Sequence, residues 1–373
     1  SLLSRDASFE PGATTSAMVS GRAQASGAVI FASTHAGLGN QLLHALSVAL
    51  LAARLRDEFP SIRCTIQLQP WNYGTSLLAT LNSSAPRLMG AIQPCNFRMA
   101  TSNDKAAARR ELLGTTNNVI AYDGRSPLQI NFFRHAWSTR IPRPVYLRPP
   151  ASYTGGCSVP GLLRLQEMTF TEYWLQMRFR AVRLRPPSPP TNASILCIHI
   201  RGRDREAARN AKLRASSWYK SMAARSQSGR KQALAVAERL ASSPHLMPQQ
   251  PNALLVSTPY PDIFSRHVTR ATHGALSALP RVTSGPLMDG KSAITNLLLL
   301  CTCSALVSEE TPRGSTYALL AELVCSLRPC PRLAGRAGAP EAWMVLCKDN
   351  ASSSDARSRN GATQNCELQR DVW

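Results

Sequence analysis

Hydrophobic and polar positions along this chain switch between two periods in a regular order. Residues 28–33, AVIFAS, form an apolar run with the length of a buried strand. THAGLGN, at 34–40, interrupts it with small and polar residues and predicts a turn. In QLLHALSVALLAARL, 41–55, the residues Leu42, Leu43, Leu46, Ala49, Leu50 and Ala53 recur at helical spacing and predict a helix with a broad apolar face. CTIQLQPW, at 64–71, predicts the next strand. A strand, turn, helix and strand in succession are the grammar of a parallel sheet. From 75 to 180 the pattern yields no motif that can be named.

Proline marks the next boundary. RPPSPP, at 185–190, excludes both a helix and a central strand and reads as a stiff linker. Beyond it the alternation restarts. ILCIHI (195–200) predicts a strand, and a basic helical stretch follows from Arg205. ALLVSTPYP (253–261) predicts a strand ending in a turn, and SAITNLLLLCT (292–302) a helix. SALVSE (304–309) predicts a strand, and GSTYALLAELVC (314–325) a turn into a helix. The expected organisation is a stem at 1–27, an α/β domain at 28–184, a linker at 185–194, a second α/β domain at 195–348, and a tail at 349–373 tethered by disulfides. The chain has 373 residues, enough for two such cores.

Composition changes the picture in two ways. An apolar fraction of 44% excludes wholesale disorder. A formal charge of +21, carried mostly by arginine, suits an anionic ligand: nucleic acid, anionic lipid, a phosphorylated ligand or acidic glycan. The arginines are scattered rather than gathered into a tail of the nucleic-acid-binding kind.

The ten cysteines lack zinc-finger spacing. Cys301 and Cys303 lie in an apolar run and read as small core residues. The four from Cys325 to Cys366 lie in a polar setting that suits disulfides. Sequons at Asn82, Asn192 and Asn350 agree with a secretory lumen. The apolar stretches 42–55 and 297–307 fall short of the roughly 20 residues that a membrane span needs. Membrane attachment is expected only through an N-terminal anchor preceding Ser1.

Three polar stretches stand at predicted strand ends. After ILCIHI come Arg201, Gly202, Arg203 and Asp204. Alternation puts Cys197, His199 and Arg201 on one face of the strand and Ile198 and Ile200 on the other. Ligands of open α/β sheets bind at the carboxyl ends of strands. A strand emerging into water, with an Arg201–Asp204 surface ion pair, is the plainer reading of the same residues. Gly37-Leu38-Gly39-Asn40 lies between a strand and a helix, where backbone amides attract anions, although an ordinary turn has the same composition. Ser315-Thr316-Tyr317 opens a helix, where the hydroxyls either cap it or bind phosphate.

Taken together, these segments resemble the fucosyltransferases that use GDP-fucose, and most closely the plant xyloglucan fucosyltransferase family. AGLGNQLLHALSVALLAARL is similar to the Gly-Leu-Gly-Asn segment and helix of that family, and ILCIHIRGRD to its strand and arginine motif. ALLVSTPYPDIFSRHV and AITNLLLLCTCSALVSEETPRGSTYALLAELVCSLRP resemble its later blocks. The matches cover 28–60 and 195–335 in scattered pieces. The resemblance implies a GT-B-like architecture of two Rossmann-like domains facing across a cleft, and a Golgi-lumen protein of type II topology.

It also implies inverting transfer of L-fucose from GDP-fucose to a hydroxyl of a glycan or cell-wall polysaccharide. A xyloglucan-like galactose O-2 is favoured, with an N-glycan core or protein hydroxyl as the alternative acceptor. No metal and no other cofactor is expected. In that scheme Arg201 binds the β-phosphate, His199 holds the guanine nucleotide, and Asp204 orients Arg201 or the nucleoside. Ser315, Thr316 and Tyr317 line the phosphate site, while Gly37, Gly39 and Asn40 close over the diphosphate. Asp204, Glu206, Glu309 and Glu310 are the candidate bases, with Asp204 and Glu206 foremost. The reading outside enzymes is a basic protein that binds a polyanion without chemistry. Nucleic acid is the less suited partner, because aromatic residues are not interleaved with the basic ones.

Overall fold

The computed structural model describes, apart from single positions, residues 28–34, 38–69, 90–114, 118–123, 128–148, 165–184, 194–199, 234–242, 250–257, 274–283, 290–309, 316–329 and 343–348. The proline-rich 185–190 segment, the stem and the tail lie outside them. Within the described residues the protein is α/β, with two sheets.

In the first sheet all strands run parallel: β1 (Val29–Ser33), β2 (Arg63–Leu68), β3 (Cys95–Met99), β4 (Ile120–Asp123) and β5 (Val145–Arg148), in the spatial order β3-β2-β1-β5-β4. The second holds β6 (Ile195–His199), β7 (Ala253–Ser257), β8 (Arg281–Thr283), β9 (Ala305–Glu309), β10 (Leu327–Pro329) and β11 (Trp343–Lys348). Its order is β10-β11-β9-β6-β7-β8. The segment from β9 to β8 is parallel, and β11 and β10 join antiparallel at one edge.

Helices among the described residues include α1 (Leu38–Leu55), α2 (Lys105–Leu113), α3 (Ile130–Trp137), α4 (Phe170–Val182), α5 (Gly290–Leu300) and α6 (Thr316–Cys325). Helix α1 is rich in Leu and Ala, the residues that lose least on entering a helix. It is apolar nearly all round and buried nearly all round, with polar Gln41, His44 and Ser47 enclosed as well. By length and composition it passes as a membrane span, yet 83% of it is buried inside the protein, as in a core helix. It begins at Leu38, so Leu38, Gly39 and Asn40 form the first helical turn rather than the expected loop. Burial of Leu38 explains the earlier start, because the helix must continue back to that residue to enclose it.

Strand alternation sorts the core. Ile30 and Ala32 face the same way as their register partners Cys64, Ile66, Val145 and Leu147. These join α1, α4 and α6 in one buried cluster. The same cluster takes in Cys197, Leu255 and Leu306 from one face of the second sheet. The opposite face of that sheet, with Leu196, Ile198, Leu254, Val256, Ala305 and Val307, packs on Leu234, Ala237, Leu240 and Ala241 as a second cluster.

Among the described residues three disulfides cross this interior: Cys64–Cys95, Cys197–Cys303 and Cys301–Cys325. Cys301 and Cys303 are buried core residues, as their apolar surroundings suggested, and both are also crosslinked, which those surroundings did not show. Burial and pairing coexist here because each faces another cysteine across the core. Disulfides of this kind persist in an oxidising environment, secretory or extracellular.

Candidate functional site

Both sheets reverse their strand order next to their first strand. In the second sheet, β7 and β8 lie to one side of β6 and β9 to the other, so the reversal falls between β6 and β9. Connections leave such a point in opposite directions and open a crevice at the carboxyl ends of the strands, where α/β proteins bind ligands.

His199 is the last residue of β6 and stands at that reversal. It is 2% exposed and, as alternation required, lies on the face of Cys197. Its register partner on β7 is Ser257, also buried. Nδ1 of His199 and Oγ of Ser257 share a hydrogen bond of 3.3 Å, with the donor set by the imidazole tautomer. The Tyr317 ring, in the first turn of α6, lies 5.1 Å from the imidazole at an interplanar angle of 34°. Two strand ends and a helix start, up to 118 residues apart in the chain between His199 and Tyr317, thus meet around one imidazole. A histidine held by a hydroxyl on one side and an aromatic ring on another has a fixed ring plane.

Of the residues singled out in the sequence, His199 and Tyr317 come together. Thr316 begins α6, and Glu309 ends β9 beside Trp343 of β11. Gly39 and Asn40 stand in the first turn of α1, beyond the carboxyl end of β1. Gly37, Arg201, Asp204, Glu206, Glu310 and Ser315 lie outside the described residues. Ser257 was missed. Its signal was present, since ALLVS ends in a hydroxyl residue at the register position of His199, but pairing between distant strands is not written in either one.

A second polar group, also missed, occupies the strand ends of the first sheet. Gln41 Oε1 accepts hydrogen bonds from Thr34 Oγ1 at 2.9 Å and from the Gln69 amide at 3.0 Å. Ser33 and Tyr146 pair through their hydroxyls at 2.7 Å. The Tyr173 hydroxyl, on α4, bonds to Ser47 of α1, and burial pushes its phenol well above its ordinary range. Among the described residues no cluster of three or more His, Cys, Asp or Glu side chains has the arrangement of a metal centre.

No protein-family model matches the chain, and no curated protein matches it.

Proposed function

We propose that this protein is an inverting fucosyltransferase, with the crevice at the end of β6 as its GDP-fucose site. What supports this reading most is the meeting of His199, Ser257 and Tyr317, because it joins three of the segments that carry the resemblance at one strand-order reversal. In this reading the two sheets are the cores of two Rossmann-like domains of GT-B type that face across a cleft, and the protein works in the Golgi lumen.

The acceptor hydroxyl oxygen attacks C1 of fucose and forms the new C–O bond. The bond from C1 to the β-phosphate oxygen breaks, and its electron pair leaves with GDP. The acceptor proton passes to a carboxylate, Asp204 or Glu206, or to solvent. Arg201, two residues past His199, offsets the charge that develops on the diphosphate through its planar fork. His199, held by Ser257, contacts the nucleotide, and the amides and hydroxyls of Ser315 and Thr316 donate to phosphate. The acceptor is a neutral glycan, for which a galactose hydroxyl of a xyloglucan-like polysaccharide is favoured.

Thermal stabilisation by GDP against UDP, ADP and CMP tests the donor. GDP alone should raise the melting temperature, and Arg201→Ala should remove that rise together with fucosyl transfer while the protein stays folded. Equal response to all four nucleotides would defeat the assignment. The charge of +21 favours a second reading, a polyanion-binding protein without chemistry. In that case binding to an acidic polysaccharide falls steeply with salt and GDP has no specific effect.

A further inference from the structure

The first sheet carries a buried group that the reading above leaves unused. Gln67, near the end of β2, is fully buried, and neither its Oε1 nor its Nε2 has a hydrogen-bond partner. Its polar neighbours are all engaged: Thr34 and Gln69 through Gln41, and Ser33 through Tyr146. An enclosed carboxamide without a partner is disfavoured, so its retention asks for a ligand.

Its position points the same way. Ser33, Gln67 and Arg98 are register partners on β1, β2 and β3, and so share one sheet face, opposite the face that joins the α1 core. Tyr146 extends the row to β5 through Ser33. The row crosses the carboxyl ends at β1, where this sheet reverses its strand order.

Charge narrows the ligand. The Arg98 guanidinium is bonded to Glu111, and Arg109 lies over the Tyr146 ring, 5.3 Å from its centre. Among the described residues of this row, the enclosed and unsatisfied group is the neutral Gln67 carboxamide, with an amide that donates twice and a carbonyl that accepts. That set matches a vicinal diol, in which one hydroxyl accepts and its neighbour donates. Access is through α2, which packs over β1 on this side and buries only Ala108 and Leu112 of its nine residues. Glu111 of this helix is also bonded to Arg98 and Thr101, so a sugar reaches the carboxamide only when α2 moves aside.

The geometry points to a sugar-binding subsite at the ends of β1 and β2, in which the Gln67 carboxamide bonds two adjacent hydroxyls of a neutral glycan. The choice of galactose as its sugar rests on the transferase reading; the diol chemistry does not.

The test is ligand-observed saturation-transfer NMR on the full chain with methyl β-D-galactopyranoside, and with glycerol as the plain polyol. The same samples are melted with and without GDP. Wild type should bind the galactoside in preference to glycerol, and Gln67→Leu should weaken that binding at least about tenfold, the effect of losing one to two hydrogen bonds. The variant should respond to GDP like wild type and melt no lower, since leucine removes an unpaired amide. Should Gln67→Leu fail to fold, Gln67→Met, which keeps the length and removes the amide, serves in its place with the same expected loss. Absence of galactoside binding, equal binding of glycerol, or unchanged affinity in the variant overturns the subsite. Galactoside binding that is lost in the variant, without any response to GDP, sustains the subsite and removes the GDP-fucose reading instead.

Discussion

Gln41 accepts hydrogen bonds from the end of β1 and from the residue after β2, so one side chain ties two strands to the start of a helix. Gln41→Ala leaves the Gln69 amide unpaired in the interior and should cost about 2 kcal/mol in urea unfolding. Gln41→Arg should cost more, because it buries a charge with no counter-charge described nearby. Tyr173→Phe removes its hydrogen bond to Ser47 and should cost about 1 kcal/mol. Glu111 carries a pH signature. The Thr101 backbone amide, then its hydroxyl and the Arg98 guanidinium, hold its carboxyl below the ordinary range. A folded-state value below the unfolded one gives stability that is present above the ordinary carboxylate range, about pH 4.3, and lost as pH falls past it. Glu111→Gln should therefore be slightly less stable than wild type at pH 7, with the gap closing between about pH 5 and pH 3. These roles were not legible in the sequence: Gln41 reads as one more helix residue, and nothing local names Thr34, Gln69 or Thr101 as its partners or those of Glu111.

Most elements with one strong period were legible; α3 is the exception, since its buried face of Phe133, Ala136 and Trp137 lies in the stretch that yielded no motif. β1, α1, β2, β6, β7, α5, β9 and α6 all lie where apolar runs or helical spacing put them, within a few residues. β3, α2, β4, α3 and β5 fall in the stretch that yielded no motif. The reason shows in their residues: β3 reads Cys-Asn-Phe-Arg-Met, and α2 is mostly Ala, Lys, Arg and Glu, so neither has a contrast of faces to detect. What shapes α2 is its ends, with Asp104 accepting from the Ala106 and Ala107 amides and Gly114 closing at a φ of 62°. At the scale of elements, truncation of Leu46 in α1 should be among the costly changes, about 3 kcal/mol for Leu46→Ala, because α1 is enclosed on every side. Replacing Cys197 and Cys303 together by alanine should cost about 2–5 kcal/mol, read as a lower midpoint in guanidinium.

Across the whole molecule, the α/β class and the restart of the pattern after the proline-rich segment followed from order alone. The pairing of strands did not, since β5 inserts beside β1 and β9 beside β6 from far along the chain. The crosslinks were misjudged for the same reason: a Cys-x-Cys in an apolar run shows its burial but not its distant partners. At this scale the decisive measurement is how ligand response depends on salt. GDP stabilisation that survives from about 50 to 200 mM salt separates a nucleotide site from diffuse attraction by the basic surface, which weakens over that interval.

The Cys197–Cys303 link spans 106 positions, whereas Cys64–Cys95 spans 31. During synthesis the earlier pair can close long before the later one, and Cys197 must wait as a thiol until Cys303 has left the ribosome. Throughout that wait Cys157, 40 positions earlier in the chain, is its nearest rival. Production of active protein will accordingly depend on a thiol–disulfide isomerase in the host, and a cytosolic host lacking one should yield scrambled, aggregated chains.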